Sequence, residues 1–256
     1  MILADTHTHL YLEEFHNDRQ QTVERAISNG VKYLLLPNVD SKTLPALHSL
    51  CDAFPASCFP MIGLHPTSVK DNFEEELLVM EKNLALRSYI AIGEIGMDLY
   101  WDTAYVIQQR QALIKQLVWA NKYQLPAVIH TRNANDEVLT ILEELHLASL
   151  KGVFHCFSGN IKQAEKAISL GFMLGIGGVI TFKNSGLGKV VAHIGLQHLL
   201  LETDSPYLAP VPYRGKRNES AYLPLIASKI AEIKAINMEE VAEVTTNNAK
   251  QLFHLP

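Results

Sequence analysis

Eight short apolar runs rich in Val, Ile and Leu recur along these 256 residues, each followed by a stretch of helical period. This repetition restricts the fold sharply, because strand-then-helix alternation commits the strands to parallel pairing under a cover of helices. The predicted strands are Ile2–His7, Lys32–Pro37, Phe59–His65, Tyr89–Ile95, Pro126–Thr131, Gly152–Phe157, Phe172–Ile176 and Leu199–Thr203. Between them, apolar residues gather on one helical face, as Val138, Ile141, Leu142 and Leu145 do at i, i+3, i+4 and i+7. Gly30 and Gly171 each close a helical stretch, where a left-handed cap is expected. Asn237 is the predicted N-cap of a last helix with Val241, Val244, Asn248 and Leu252 on one stripe. No Ser/Gly-rich linker interrupts the chain, so residues 1–256 read as one domain.

Two architectures accommodate eight such units: a doubly wound open sheet and a closed (β/α)₈ barrel. Length allows both; the residues that end the runs separate them. The first run leads into Asp5-Thr-His7-Thr-His9. In extended chain, residues i and i+2 point the same way, so His7 and His9 can close on one ion. The fourth run reaches Glu94, the fifth His130, the sixth His155, and the eighth Glu202-Thr-Asp204. Taken singly, each is a polar residue that a neighbour could satisfy inside a core. Together they set four His and two or three carboxylates at the C-terminal ends of five strands, and these converge only if the sheet closes. The expected fold is an α/β (β/α)₈ TIM barrel with a binuclear metal site at the C-terminal mouth of its strands.

His7, His9, Glu94, His130, His155 and Asp204 exceed what one tetrahedral ion takes, so two divalent ions are expected. Glu94 is the natural bridge, with His7 and His9 on one ion and His130 and His155 on the other. Asp204 would bind an ion or hold the attacking water. Zn, Mn and Mg are the candidates; imidazole-rich ligation suits Zn, Mn or Fe better than Mg. Two ions about 3.5–4 Å apart lower the pKa of a shared water and stabilise attacking and leaving oxygens.

Composition fits this reading. Eleven His are many for this length, and four are now assigned to the site. An apolar content of 48% excludes a disordered chain, and a net charge of −5 argues against a basic coat for gripping nucleic acid. Three Cys without a CxxC suggest neither a disulfide framework nor a Cys-based zinc site. The start, MILADTHTHL, lacks a basic n-region, and the uncharged run 167–182 is shorter than the roughly 20 apolar residues of a membrane span. A cytoplasmic protein is expected.

The motifs DTHTHL, GLHP, IGEIGMD, IHTR, FHCFSG and ETDSPYLAPVPYRGKRNE, in this order, resemble the TatD family of metal-dependent deoxyribonucleases. That family lies in the amidohydrolase superfamily of metal-bearing TIM barrels, and the resemblance spans essentially the whole chain. It implies hydrolysis of DNA phosphodiester bonds, often as a 3′–5′ exonuclease. The partner would be single-stranded DNA or a 3′ end, with no membrane and no obligate protein partner. It also lays His7, His9, Glu94, His130, His155 and Asp204 on the family's metal and catalytic positions, with Asp204 and Glu94 as the catalytic pair. Three departures bear on substrate preference: Tyr11 stands where the family usually has an acid, Asn133 where it often has Asp, and Ser220 where Pro is usual.

The same constellation serves amide, lactone and acyl-ester hydrolysis, D-aminoacyl-tRNA deacylation being a concrete case. A barrel that binds nucleic acid without turnover is a third reading. Related amidohydrolases often bridge their metals with a carbamylated Lys on the fourth strand, where Glu94 stands here. A pure binder, moreover, has no need of six convergent ligands.

Substrate contacts are expected from His65, Arg132, Arg214 and Lys216. His65, in Gly63-Leu-His65-Pro, can donate to a phosphate or serve the structure. Arg132 follows His130 closely enough to reach over the mouth. Arg214-Gly-Lys216-Arg217 is the densest basic cluster; it is either a solvated loop or a phosphate grip ten residues past Asp204. Asp5 beneath the metals and Glu202 orienting a ligand are supporting candidates, as open to a structural role. Cys156 is expected to face away from His155 and to pack. No P-loop, GxGxxG, HExxH or GxSxG occurs.

Overall fold

The computed structural model describes residues 1–101 and 103–256. Its strands are β1 (Leu3–Asp5), β2 (Val31–Leu36), β3 (Cys58–Pro60), β4 (Ile92–Asp98), β5 (Ala127–Arg132), β6 (Gly152–Phe154), β7 (Phe172–Ile176) and β8 (Leu199–Leu201). Between them run α1 (Arg19–Ser28), α2 (Leu44–Ala53), α3 (Phe73–Leu86), α4 (Val106–Tyr123), α5 (Asn135–Leu145), α6 (Ile161–Ser169) and α7 (Leu187–His193). Two helices follow β8: α8 (Leu223–Lys234) and α9 (Met238–Phe253). All strand pairs are parallel and sequential, as β1-β2-β3 and β4-β5-β6-β7-β8. Two seams close the barrel. Ile62 bridges Ile92 between β3 and β4, and Thr8 bridges Ser205 just past β8. The Thr6 N–H to the Leu201 carbonyl and the Asp204 N–H to the His7 carbonyl reinforce the second seam.

The barrel interior is a packed core. Ala4, Tyr33, Leu35, Met61, Ala91, Val128, Val153 and Leu200 form one buried cluster, joined by Ala249, Leu252 and Phe253 of α9 and by Leu255. The alternate strand residues, Leu34, Leu36, Ile129 and Phe154 among them, belong to the second cluster, which the helices cover. Alternation then builds the site: two residues past inward-facing Val128, Val153 and Leu200 stand His130, His155 and Glu202.

Several strands stop earlier than their apolar runs predict. β1, β3, β6 and β8 end at Asp5, Pro60, Phe154 and Leu201, so His7, His9, His65, His155 and Asp204 lie just past the ladders. The chain turns there as a paired strand would not: φ is 46° at Cys156 and 56° at Asp204. β4, by contrast, runs on to Asp98. The expected caps are present. Gly30 and Gly171 have φ of 88° and 87°, where a Cβ would be strained, and the Asn237 side chain accepts from the Glu240 N–H. Among the described residues no helix is long and apolar enough to cross a membrane.

Candidate metal centre

Glu94 is the hub of the mouth, buried within β4. Its Oε2 lies 3.1 Å from His7 Nε2 and 3.6 Å from His9 Nε2. Its Oε1 lies 2.9 Å from His130 Nδ1, 3.2 Å from His65 Nε2 and 3.7 Å from His155 Nε2. Asp204 Oδ1 approaches the same imidazoles, 3.5 Å from His9, 3.8 Å from His155 and 3.9 Å from His7. The six residues expected as ligands therefore meet around one point, and His65 joins them.

These donors suit divalent cations. The His7 and His9 Nε2 atoms stand 3.2 Å apart. Two ligands about 2.05 Å from one ion at the tetrahedral angle would be about 3.3 Å apart, whereas two bare lone pairs at that distance repel. Glu202 Oε2 and His7 Nδ1 are buried without hydrogen-bond partners among the described residues. His155 Nδ1 is 3.0 Å from Glu202 Oε1 but off the axis a hydrogen bond needs, so their attraction is electrostatic.

Electrostatics point the same way. Burial lowers His7 to about 4, with the nearby His155 acting in the same direction, so its imidazole is neutral and open to ligation. Burial opposes ionisation of Glu94, yet His65, His7 and His155 hold its carboxyl well below the usual range. Asp204 is likewise held low, against burial, by His155, His9 and His7. His155 is pushed up to about 10, against burial, by Glu202, Glu94 and Asp204. Those carboxylates call for positive charge at its ring, which a proton or a metal ion can supply.

Hydrogen bonds decide which nitrogen His130 and His65 present. Asp98 is held at about 2: burial works against this, but His130, Trp101 and Tyr100 all donate to it. Its Oδ1 takes the Tyr100 and Trp101 N–H groups, and its Oδ2 lies 3.0 Å from His130 Nε2. His130 is raised, against burial, because it donates to Asp98 from Nε2 and to Glu94 from Nδ1. A metal ion at Nδ1 would take the place of the second proton while Asp98 keeps the first. His65 faces Glu94 with the other nitrogen, Nε2. The Thr67 N–H donates to its Nδ1 at 3.1 Å, leaving the proton on Nε2. His65, Glu94 and His130 form a tight trio, but His65 offers it a donor.

A cavity of about 1020 Å³ opens above the cluster. Arg132, Arg214 and Lys216, the expected substrate contacts, line it. The Arg132 guanidinium carbon lies 4.0 Å from the centre of the Tyr100 ring and 5.0 Å from that of Trp101, and that of Arg214 lies 4.5 Å from the centre of Phe182. Among the described residues none of these three cations has a carboxylate partner. Arg217 differs: it is bound to both Asp18 oxygens at 2.7 Å and anchors its loop to the start of α1. Asp5 is buried beneath the mouth, where it accepts from the Thr203 hydroxyl at 2.6 Å and is raised to about 7 by burial.

Cys156 corrects the sequence reading. It lines the cavity, its sulfur within 4.8 Å of ligand atoms of His155 and Glu202, because β6 has ended and the left-handed turn breaks the alternation. Burial pushes its thiol well above the ordinary value, so it stays protonated and is a poor nucleophile. Asp98 was not singled out from sequence, although a residue four past Glu94 on an extended strand shares its side. Tyr100 and Trp101 lie in a loop, and no periodicity marks them.

A closed parallel barrel with a buried His/Glu/Asp cluster at its C-terminal mouth defines an amidohydrolase-like metal-dependent hydrolase. The profile described as TatD related DNase matches residues 4–254, and the chain belongs to the TatD family. It is 37% identical to the metal-dependent hydrolase YabD of Bacillus subtilis (strain 168), across 99% of this chain and 100% of that one. The fold superposes on the crystal structure of YjjV, a TatD homologue from Escherichia coli K12, with a TM-score of 0.93 and 30% identity over 99% and 98% of the two chains. The 3′-5′ ssDNA/RNA exonuclease TatD of Rahnella sp. (strain Y9602) is 32% identical over 94% of each chain.

Proposed function

We propose that this hydrolase cleaves phosphodiester bonds of DNA, working inward from a 3′ strand end. The rim carries the reading. Among the described residues Arg132, Arg214 and Lys216 have no carboxylate partner, and Tyr100 and Trp101 expose flat rings beside a carboxylate–imidazole floor. A strand end brings one negative charge per link and one flat base per nucleotide, which such a rim can grip. The exonuclease activity named for the Rahnella relative supports the same choice.

In this reading His7, His9 and Glu94 would hold one divalent ion, and Glu94, His130 and His155 would hold the second. Such ions would supply a water of lowered pKa and positive charge beside the phosphoryl oxygens. Asp204 Oδ1 orients the attacking water and accepts its proton, for which its ionised state is suited. His65 donates its Nε2–H to a non-bridging oxygen, and Arg132, packed against Tyr100, receives a neighbouring phosphate. The chain's net charge of −5 makes this a local, salt-sensitive grip.

Glu94→Ala is expected to lose bound metal and activity together. Asp204→Asn should keep at least one ion and lose turnover by about 10²–10⁴-fold. Near-wild-type turnover of Asp204→Asn on single-stranded DNA would sink its catalytic role.

A further inference from the structure

One buried polar group is left unused by that chemistry. The Tyr11 phenol is 1% exposed, two residues beyond His9. Its oxygen lies 2.6 Å from the Pro37 carbonyl oxygen and 3.0 Å from His9 Nδ1. A phenol has one proton to give, and a carbonyl oxygen has none. The Tyr11 proton therefore goes to Pro37, and toward His9 the phenol oxygen can only accept. His9 must then carry a proton on Nδ1. In the neutral ring Nε2 is left as a lone pair, and it faces His7 Nε2 at 3.2 Å, Asp204 Oδ1 at 3.5 Å and Glu94 Oε2 at 3.6 Å.

We propose that Tyr11 is a positioning residue that locks the His9 tautomer, so that Nε2 is ready for a divalent cation before the cation arrives; this rests on the reading of His9 as a ligand. Tyr11 does for His9 what Asp98 does for His130, with a neutral acceptor in place of a carboxylate. The choice has an electrostatic reason. Glu94 and Asp204 already face His9, and a third carboxylate at Nδ1 would add charge that the imidazoles and cations must offset. Without the phenol oxygen, the proton can move to Nε2. There it would donate to Glu94 or Asp204 and block the ligand atom. The Thr67 N–H at His65 is the opposite device, and it marks how the surroundings of each ring sort ligands from donors.

The tautomer can be read directly. Nitrogen-15 imidazole shifts of metal-free protein at mildly alkaline pH, with His9 assigned by its loss in His9→Gln, should report the proton on Nδ1. Tyr11→Phe should shift His9 toward Nε2–H or a mixture of forms. Zn²⁺ affinity by competition calorimetry should fall about 10–100-fold in Tyr11→Phe. Tyr33→Phe is the control, since its phenol also donates to a main-chain oxygen, that of Pro256, in the cluster that α9 joins and away from the metal site. It should change neither the tautomer nor the affinity.

A proton on His9 Nε2 in the wild type overturns the proposal, and that measurement needs no Tyr11 variant to fold. Unchanged Zn²⁺ affinity in a Tyr11→Phe protein shown by circular dichroism to be folded overturns it too. No nucleic acid enters either measurement, so failure of the phosphodiester reading leaves both standing. A wild type that binds no Zn²⁺ would strike the metal-centre reading, with the tautomer still decided by the shifts.

Discussion

Asp98 holds His130 through Nε2, 3.0 Å from its Oδ2, and so aims Nδ1 at Glu94 Oε1, 2.9 Å away. Both acids belong to β4, four residues apart on one side of an extended strand. One strand thus supplies the central carboxylate and the group that orients a partner from β5. A carboxylate on the far nitrogen also raises the basicity of the near one, strengthening it as a ligand.

Asp98→Asn tests this arrangement with little disturbance elsewhere. The Asn oxygen can still accept the Tyr100 and Trp101 N–H groups, while its NH₂ would oppose the His130 Nε2–H. Affinity for one of two ions should fall about 10–100-fold, with the fold intact. Calorimetric titration with Zn²⁺ or Mn²⁺ would read it; two unchanged sites would contradict the role given to Asp98.

His7, His9, Glu94, His130, His155 and Asp204 are legible in sequence because each closes or follows an apolar run that alternation aims at the mouth. Val128 to His130 and Val153 to His155 show that rule at work. Asp98 obeys it as well, from inside a strand that runs longer than its apolar stretch suggests. Tyr11 does not: the chain turns after His9, and only the fold brings Pro37 beside the phenol. The third run reads as a strand to His65, yet β3 ends at Pro60, and its seam to β4 is the isolated Ile62–Ile92 bridge with the backbone hydrogen bonds beside it. Cys156 is misplaced for a related reason, since alternation holds only while the ladder continues.

Glu202 fills space that only a glycine leaves open. A Cβ on Gly175 would stand 2.2 Å from Glu202 Oε2. That carboxylate is fully buried, and its Oε1 accepts the Cys156 N–H at 2.6 Å, so it has little room to swing aside. Gly175→Ala should cost about 1–3 kcal/mol of stability, read from urea unfolding. A wild-type midpoint would mean that the packing around Glu202 is looser than its contacts imply.

Acid should loosen the rim loop at α1. Hydrogen bonds from Arg217, and then Arg25, outweigh a modest burial penalty and hold Asp18 below the ordinary carboxylate range. A carboxyl with its folded pKa below the unfolded value of about 3.9 stabilises fully above that value and loses its contribution as pH falls through the folded pKa. This contribution should be level from neutral pH to about 5 and decline below about 4. In Arg217→Ala the decline should be shallower, as urea midpoints across the acid range would show. Equal acid slopes in the two proteins would remove the ion pair from the account.

The rim cations should act through substrate binding. Arg132→Ala is expected to raise KM for short single-stranded DNA more than it lowers kcat. It should also cut the slope of log affinity against log salt by about 0.7. Trp101 is 67% exposed beside Arg132, and Trp101→Ala should raise KM by about tenfold if a base stacks there. Steady-state kinetics at several salt concentrations would separate the two effects. An unchanged salt slope in Arg132→Ala would remove that residue from phosphate contact.

Substrate choice is tested most directly by one comparison on purified protein reconstituted with Zn, Mn or Mg. Single-stranded DNA labelled at its 5′ end, RNA and D-aminoacyl-tRNA would be offered in parallel. The expected result is stepwise shortening of the DNA from its 3′ end with release of mononucleotides, abolished by a chelator and by Glu94→Ala. Cleavage confined to the acyl bond of D-aminoacyl-tRNA, with DNA left intact under every metal, would contradict it.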